Sequence, residues 1–193
     1  MKKILISLMA IALVVGLVGV GTMAYFSDTE TSTGNSFTAG TLDLKVDGEN
    51  PNVSPDFTIG NVAPGSSGTI TYVLTNVGSL AGFLDLSGIG VVNTEGLNPE
   101  SETGDLDAPG ELSDNLWVVV NLGSVVQYTG LLSGIATAYD ADVAIGANGA
   151  TTLTIAWAVD KDGTAPLGMD VGNDVQGDIA TVALTIELDQ IAD

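Results

Sequence analysis

The run Thr69-Ile70-Thr71-Tyr72-Val73-Leu74-Thr75 constrains this chain more than any other. As an extended strand it puts Ile70, Tyr72 and Leu74 on one side and Thr69, Thr71, Val73 and Thr75 on the other, the period-two pattern of a half-buried strand. Short runs of the same kind, rich in β-branched residues and punctuated by Gly, Asn, Asp and Pro, recur along the sequence, and nothing after residue 24 carries a helical period. The predicted strands are residues 36–46, 56–62, 68–76, 82–90, 115–122, 125–132, 150–159 and 179–188. Strands of this number and spacing specify an all-β fold, a jelly-roll-like two-sheet β-sandwich. Leu153, Ile155, Trp157 and Val159 share one face of their strand, so Trp157 reads as a core anchor rather than a ligand platform. Ala63-Pro64-Gly65-Ser66 reads as the turn between two strands, with Pro preset for the second position and Gly following where a positive φ is tolerated.

The N-terminus has a different character. Lys2 and Lys3 precede an apolar run over residues 4–20, and Thr22 and Ala24 place small residues at the −3 and −1 positions of a cleavage site. This is the pattern of a secretory signal peptide over residues 1–24, cut between Ala24 and Tyr25. The competing reading is an uncleaved anchor, since the run stands at the lower edge of bilayer-spanning length. Gly16, Gly19 and Gly21 loosen its end and no basic stop-transfer flank follows, which favours cleavage, secretion and a mature chain without a membrane span.

Taking residues 1–24 from the 193 leaves 169, enough for one domain with a real core. All 24 acidic residues lie beyond Ala24 and two of the four lysines lie before it, so the remainder carries two cations against 24 anions, a net −22, with no arginine and no histidine. Nucleic acid is excluded as a partner, because binding it requires a basic footprint that displaces counterions. The absence of cysteine leaves packing, metal or neighbouring subunits to hold an exported fold. Without histidine or cysteine there is no Ser-His-Asp triad, no thiolate nucleophile, no HExxH zinc site and no imidazole base. Carboxylate pairs remain, but they need a cleft to fix them, and the acids here sit mostly in Gly- and Pro-rich stretches. The expectation is a non-enzyme.

Residues 93–114 form an acidic, Pro- and Gly-containing insertion that reads as a surface loop. Its Asp105, Asp107 and Glu111, with Asp160 and Asp162 of the Asp160-Lys161-Asp162-Gly163-Thr164 segment, are the candidate calcium ligands. The latter segment echoes the start of a calcium loop but carries Val171 where the twelfth-position acid belongs, so a strand-connecting turn and no bound cofactor is the blander alternative. Asn52-Val53-Ser54 is a glycosylation sequon weakened by Pro55.

Three separated blocks resemble the TasA and camelysin family of secreted biofilm-matrix fibre proteins, which includes archaeal bundling-pilus relatives. The first is Gly21-Thr22-Met23-Ala24-Tyr25-Phe26-Ser27-Asp28 with Asn35-Ser36-Phe37-Thr38-Ala39-Gly40-Thr41-Leu42-Asp43-Leu44. The second runs from Val62-Ala63-Pro64-Gly65 through a strand to Asn76-Val77-Gly78-Ser79-Leu80-Ala81. The third is Asn173-Asp174-Val175-Gln176-Gly177-Asp178. The resemblance implies a jelly-roll subunit that polymerises with identical copies outside the cell by donor-strand complementation, after cleavage by a signal peptidase of the SipW type.

The residues agree with that implication. A low-charge segment over residues 25–41 can pair with a neighbour's sheet edge, and a head-to-tail contact that does not close makes a filament. Tyr25, Phe26, Phe37, Leu42 and Leu44 are the candidate plugs, although residues 42–46 read equally as the first strand of the chain's own domain over residues 42–193. The alternative function is a monomeric, surface-anchored binding module for carbohydrate or protein, with Trp117, Tyr128 or Tyr139 lining its site. A camelysin-like peptidase activity is opposed by the missing imidazoles and thiols.

Overall fold

The computed structural model describes residues 2–20, 39–50, 55–95, 110–160, 175 and 177–192. The chain divides into two compact units, Met1–Thr38 and Ala39–Asp193. In the first, the apolar run forms helix α1, Lys2–Val20, with Ile4, Leu5, Leu8 and Met9 exposed. Among the described residues no helix is long and apolar enough to cross a membrane.

The second unit is a sandwich of two antiparallel sheets. Its described strands are β1 (Leu44–Val46), β2 (Phe57–Gly60), β3 (Ser67–Asn76), β4 (Gly82–Thr94), β5 (Leu116–Leu122), β6 (Val125–Leu131), β7 (Tyr139–Ile145), β8 (Ala150–Val159) and β9 (Ile179–Asp189), with a single helical turn α2 (Leu112–Asn115) before β5. The sheet orders are β1-β3-β8-β5-β6 and β2-β9-β4-β7. From β2 onward the pairing is nested: β2 with β9, β3 with β8, β4 with β7 and β5 with β6, all antiparallel. A long hairpin rolled on itself gives this order, which is the jelly-roll topology with β1 added to one edge.

Alternation explains which faces are buried. Along β5 the residues at Leu116, Val118, Val120 and Leu122 are buried and those between them are half-buried. Leu74, Leu84, Leu116, Leu153 and Ile155 are among those meeting in the core between the sheets, and a fully buried side chain of this size contributes roughly 1.5–3 kcal/mol. The Pro64-Gly65 turn forms as its residues dictate: Ser66 N–H donates to the Ala63 carbonyl at 2.8 Å and Gly65 sits at φ +85°.

Several strands depart from the sequence reading. The predicted strand over residues 36–46 is formed, within the described part, by Leu44–Val46 alone, because Thr41 is held by the Ser79–Leu80 turn instead of by a neighbouring strand. The chain turns after Val46 at Asp47-Gly48, with φ of +49° and +86°. β4 continues past residue 90 to Thr94, across a bulge between Ser87 and Gly90 where Gly88 has φ +61° and Ile89 N–H donates to Thr137. Asn93 and Thr94, read as loop, pair with Ala180 and Ile179, and residues 112–115 are helical. β7 was not foreseen: it raises the strands to nine among the described residues.

Candidate functional site

The sandwich closes differently at its two sides. At one side β6 and β7, the outer strands of the two sheets, are bridged by Tyr128 and Tyr139, whose ring centroids lie 6.2 Å apart. The Tyr128 hydroxyl donates to the Leu131 carbonyl at 2.6 Å, and the Tyr139 hydroxyl accepts from Ala136 N–H at 3.0 Å. Burial, then the neighbouring Tyr139, pushes the Tyr128 phenol above its ordinary range. These two half-buried tyrosines pack against the core between the outer strands of the two sheets. Trp117 stands half-buried on the outer face of β5.

Among the described residues the opposite side is open. β3 pairs with β8 from Ser67 to Thr75, whereas β1 covers its other edge at Leu74–Asn76. β1 leaves at Asp47, whose N–H donates to the Val73 carbonyl at 2.8 Å and whose carboxylate accepts from Val73 N–H at 2.7 Å. From Tyr72 back to Ser67, no described residue continues the ladder on that edge. Facing it across the sandwich, β2 pairs with β9 and forms the edge of its own sheet. Between these two edges runs a groove of about 520 Å³ with a mixed lining, apolar at Ile59, Val62, Ile70 and Trp157 and polar at Thr58, Asn61, Ser66, Ser67 and Thr69.

The groove interrupts the core. Gly68, Ile70 and Tyr72 point inward from β3, yet each is half-buried, while Leu74 on the same face is fully buried. Trp157 packs on the core as its alternation required, but it too is half-buried and walls the groove. Tyr72 reaches across to donate to the Asp56 carbonyl at 3.2 Å, joining the strand that leads into β2. Its phenol is raised first by burial and then by Asp47 and Asp56. Among the described residues the β3 edge from Ser67 to Tyr72 thus has no ladder partner on this side. It stands above a mixed lining in which Ile59, Val62, Ile70 and Trp157 supply the apolar part and Thr58, Asn61, Ser67 and Thr69 the polar part. An edge of this kind can accept an added strand.

The N-terminal end of the domain is fastened beside β3. Buried Asn76 donates to the Leu80 carbonyl at 2.7 Å and to the Gly146 carbonyl at 3.2 Å, and its Oδ1 accepts from Gly78 N–H at 3.0 Å. The turn so shaped holds Thr41: Thr41 N–H donates to Ser79 Oγ at 3.0 Å, and Leu80 N–H donates to the Thr41 carbonyl at 3.1 Å. Leu42 lies beside Gly78 and Gly82, and Leu44 pairs with Asn76 within its own sheet. These two leucines are thus built into their own domain. Tyr25, Phe26, Phe37, the cleavage residue Ala24 and the sequon residue Asn52 lie outside the described residues.

Two groups of carboxylates converge. Asp85, Asp140 and Asp142 form one, and Glu95, Glu111 and Asp178 the other, each with oxygens within 4.8 Å of one another. In the first, Asp85 Oδ1 accepts from Ala141 N–H at 2.7 Å and Asp142 N–H at 2.8 Å, pinning β7 to β4 where their register shifts. Of the predicted calcium ligands, Glu111 joins the second group, with Glu95 and Asp178 rather than with its predicted companions. Asp160 is buried and belongs to neither group, while Asp105, Asp107 and Asp162 lie outside the described residues. The sequence did carry a signal for Asp178, as the last residue of the Asn173–Asp178 block, but nothing in it paired that residue with Glu95.

The family model described as camelysin metallo-endopeptidase matches residues 1–106 of the 193, more than half of the chain. The chain belongs to the camelysin family. The matched span holds the first two sequence blocks, so the camelysin-like part of the chain includes both the Thr41 segment and the Asn76–Leu80 turn that holds it. No curated protein matches the chain. The metal that the camelysin description implies is tested by the donors present. Zinc in peptidases is held by imidazole with carboxylate, and this chain has neither histidine nor cysteine. Its converging donors are carboxylates alone, a set suited to a hard cation and not to a catalytic zinc.

Proposed function

We propose that this chain is a secreted structural subunit that polymerises by donor-strand complementation into extracellular filaments or pili serving a biofilm matrix or cell-surface adhesion. Export removes residues 1–24 through a signal peptidase of the SipW type, leaving no mature membrane span and a free segment that starts at Tyr25. The residues between Tyr25 and the Thr41 anchor enter the groove of another copy, extend β3 beyond the point where β1 leaves it, and place Tyr25, Phe26 or Phe37 against Ile59, Ile70 and Trp157. The open groove between β2 and β3, with its half-buried inward residues, is the observation that carries this reading. Because the donated segment and the acceptor groove are different surfaces, the contact propagates instead of closing. The subunit has no catalytic role in this reading, in keeping with the absence of imidazole and thiol.

The test is a charge placed on the groove floor. Ile70 is half-buried, so Ile70→Lys leaves the domain folded and strands an ammonium where an apolar side chain should dock. The expected result is a chain with unchanged circular dichroism that stays monomeric on size exclusion under conditions where the parent elongates. Normal elongation by the variant contradicts the proposal.

A further inference from the structure

Asp178 is fully buried at the foot of β9, just before Ile179. One of its carboxylate oxygens, Oδ2, accepts from Glu111 N–H at 2.5 Å and Leu112 N–H at 3.0 Å, fastening the start of α2. The other, Oδ1, is equally buried and has no hydrogen-bond partner among the described residues. It lies in the group where the Glu95 and Glu111 carboxylates converge, with oxygens within 4.8 Å of one another. Gly110 closes the pocket wall: it holds φ +86°, and a Cβ there would come within 2.8 Å of Oδ1.

Among the described residues no donor is aimed at Asp178 Oδ1. A buried oxygen without a donor is costly, and three carboxylates gathered in a partly buried space repel one another. A cation with oxygen preference relieves both penalties at once. Calcium takes six to eight oxygens, accepts mono- and bidentate carboxylates, and completes its shell with carbonyls and water.

We propose that Glu95, Glu111 and Asp178 bind one calcium ion. The ion ties the end of β4, the start of α2 and the start of β9 into one junction, each contributing one carboxylate. It is a structural site: it lies among residues outside the filament groove and does not depend on the filament reading. It also differs from the ligand set that sequence alone suggested, sharing Glu111 with it.

The test is calcium titration of the full chain after treatment with a chelator, read by calorimetry for stoichiometry and by thermal unfolding. One calcium per chain is expected, with a rise in Tm of roughly 5–10 °C at a calcium concentration about 100-fold above its Kd. Glu95→Gln removes a ligand without touching the two backbone bonds to Asp178, and should lose most of the calcium-dependent rise. Asp178→Asn should lose all of it; if that variant does not fold, Glu95→Gln decides. Asp140→Asn, in the other acidic group, should keep the rise. A parent chain whose Tm ignores calcium, or a Glu95→Gln variant that responds as the parent does, overturns the proposal.

Discussion

Trp157 occupies the space that a side chain at Gly68 would need. The two are direct cross-strand partners of β8 and β3, and a Cβ on Gly68 would come within 2.7 Å of the indole Cζ2. The ring can reach the inner face of β8 because its neighbour has no side chain, and from there it walls the groove. A glycine in a strand usually weakens it, and here its place is explained by the close approach of a large ring.

Gly68→Val should displace that ring. The expected cost is about 1–3 kcal/mol from overpacking, measured by urea unfolding, with a change in tryptophan emission as the indole moves. Filament assembly should fall with it, since the groove loses its wall. Unchanged stability and emission would mean that the indole position is not set by Gly68.

Asn76 shapes the turn that fastens the N-terminal segment, with three side-chain hydrogen bonds from a fully buried site. Asn76→Ala leaves the Leu80 and Gly146 carbonyls and Gly78 N–H short of a partner, and should destabilise the domain by roughly 2–4 kcal/mol. Protease access at residues 39–43 should rise at the same time. A loss under about 0.5 kcal/mol in urea unfolding would contradict the role given to this side chain.

Alkaline pH should weaken the domain through Tyr72 and Tyr128. Folding raises both phenols above their ordinary value of 10.0, so the neutral form is the one the fold favours. Their contribution is complete below that value and is lost as pH climbs through the higher folded-state values. Tm should stay level on their account up to about pH 10 and decline beyond it. Tyr72→Phe should flatten part of that decline; an identical alkaline slope in parent and variant would contradict the assignment.

If the proposed filaments form, residues 25–193 carry a net −22 per subunit and close packing side by side is opposed by repulsion. Low ionic strength with a chelator should therefore disperse bundles while leaving single filaments intact, because strand pairing and apolar docking need no screening. Light scattering and negative-stain images report the two levels separately. Bundles that survive both treatments would contradict an electrostatic control of bundling.

What could be read from the sequence follows how the structure is held. β3, β5 and β8 alternate cleanly because a sheet with one buried face imposes period two on its strands, and those were legible. β7 was not, since Tyr139-Asp140-Ala141-Asp142 has weak strand propensity and is held by Asp85, a side chain distant in sequence. The end of β1 was signalled by Asp47-Gly48, a two-residue turn signature, whereas its late start was not, since Thr41 is held by Ser79 and Leu80, residues distant in sequence. The open groove lay beyond sequence reasoning, because it arises from the mismatch between a three-residue β1 and a ten-residue β3. Likewise Glu95 and Asp178 meet through the pairing of β4 with β9, which no local pattern announces.

Electron microscopy of the chain beginning at Tyr25, beside one beginning at Ala39 where the sandwich unit starts, tests the central claim most directly. Both keep Thr41 and its anchor on Ser79 and Leu80, so the difference between them is the donor segment alone. Filaments from the longer chain and folded monomers from the shorter are the expected result. Monomers from both, across salt and calcium concentrations, or filaments from the shorter chain, would contradict donor-strand polymerisation.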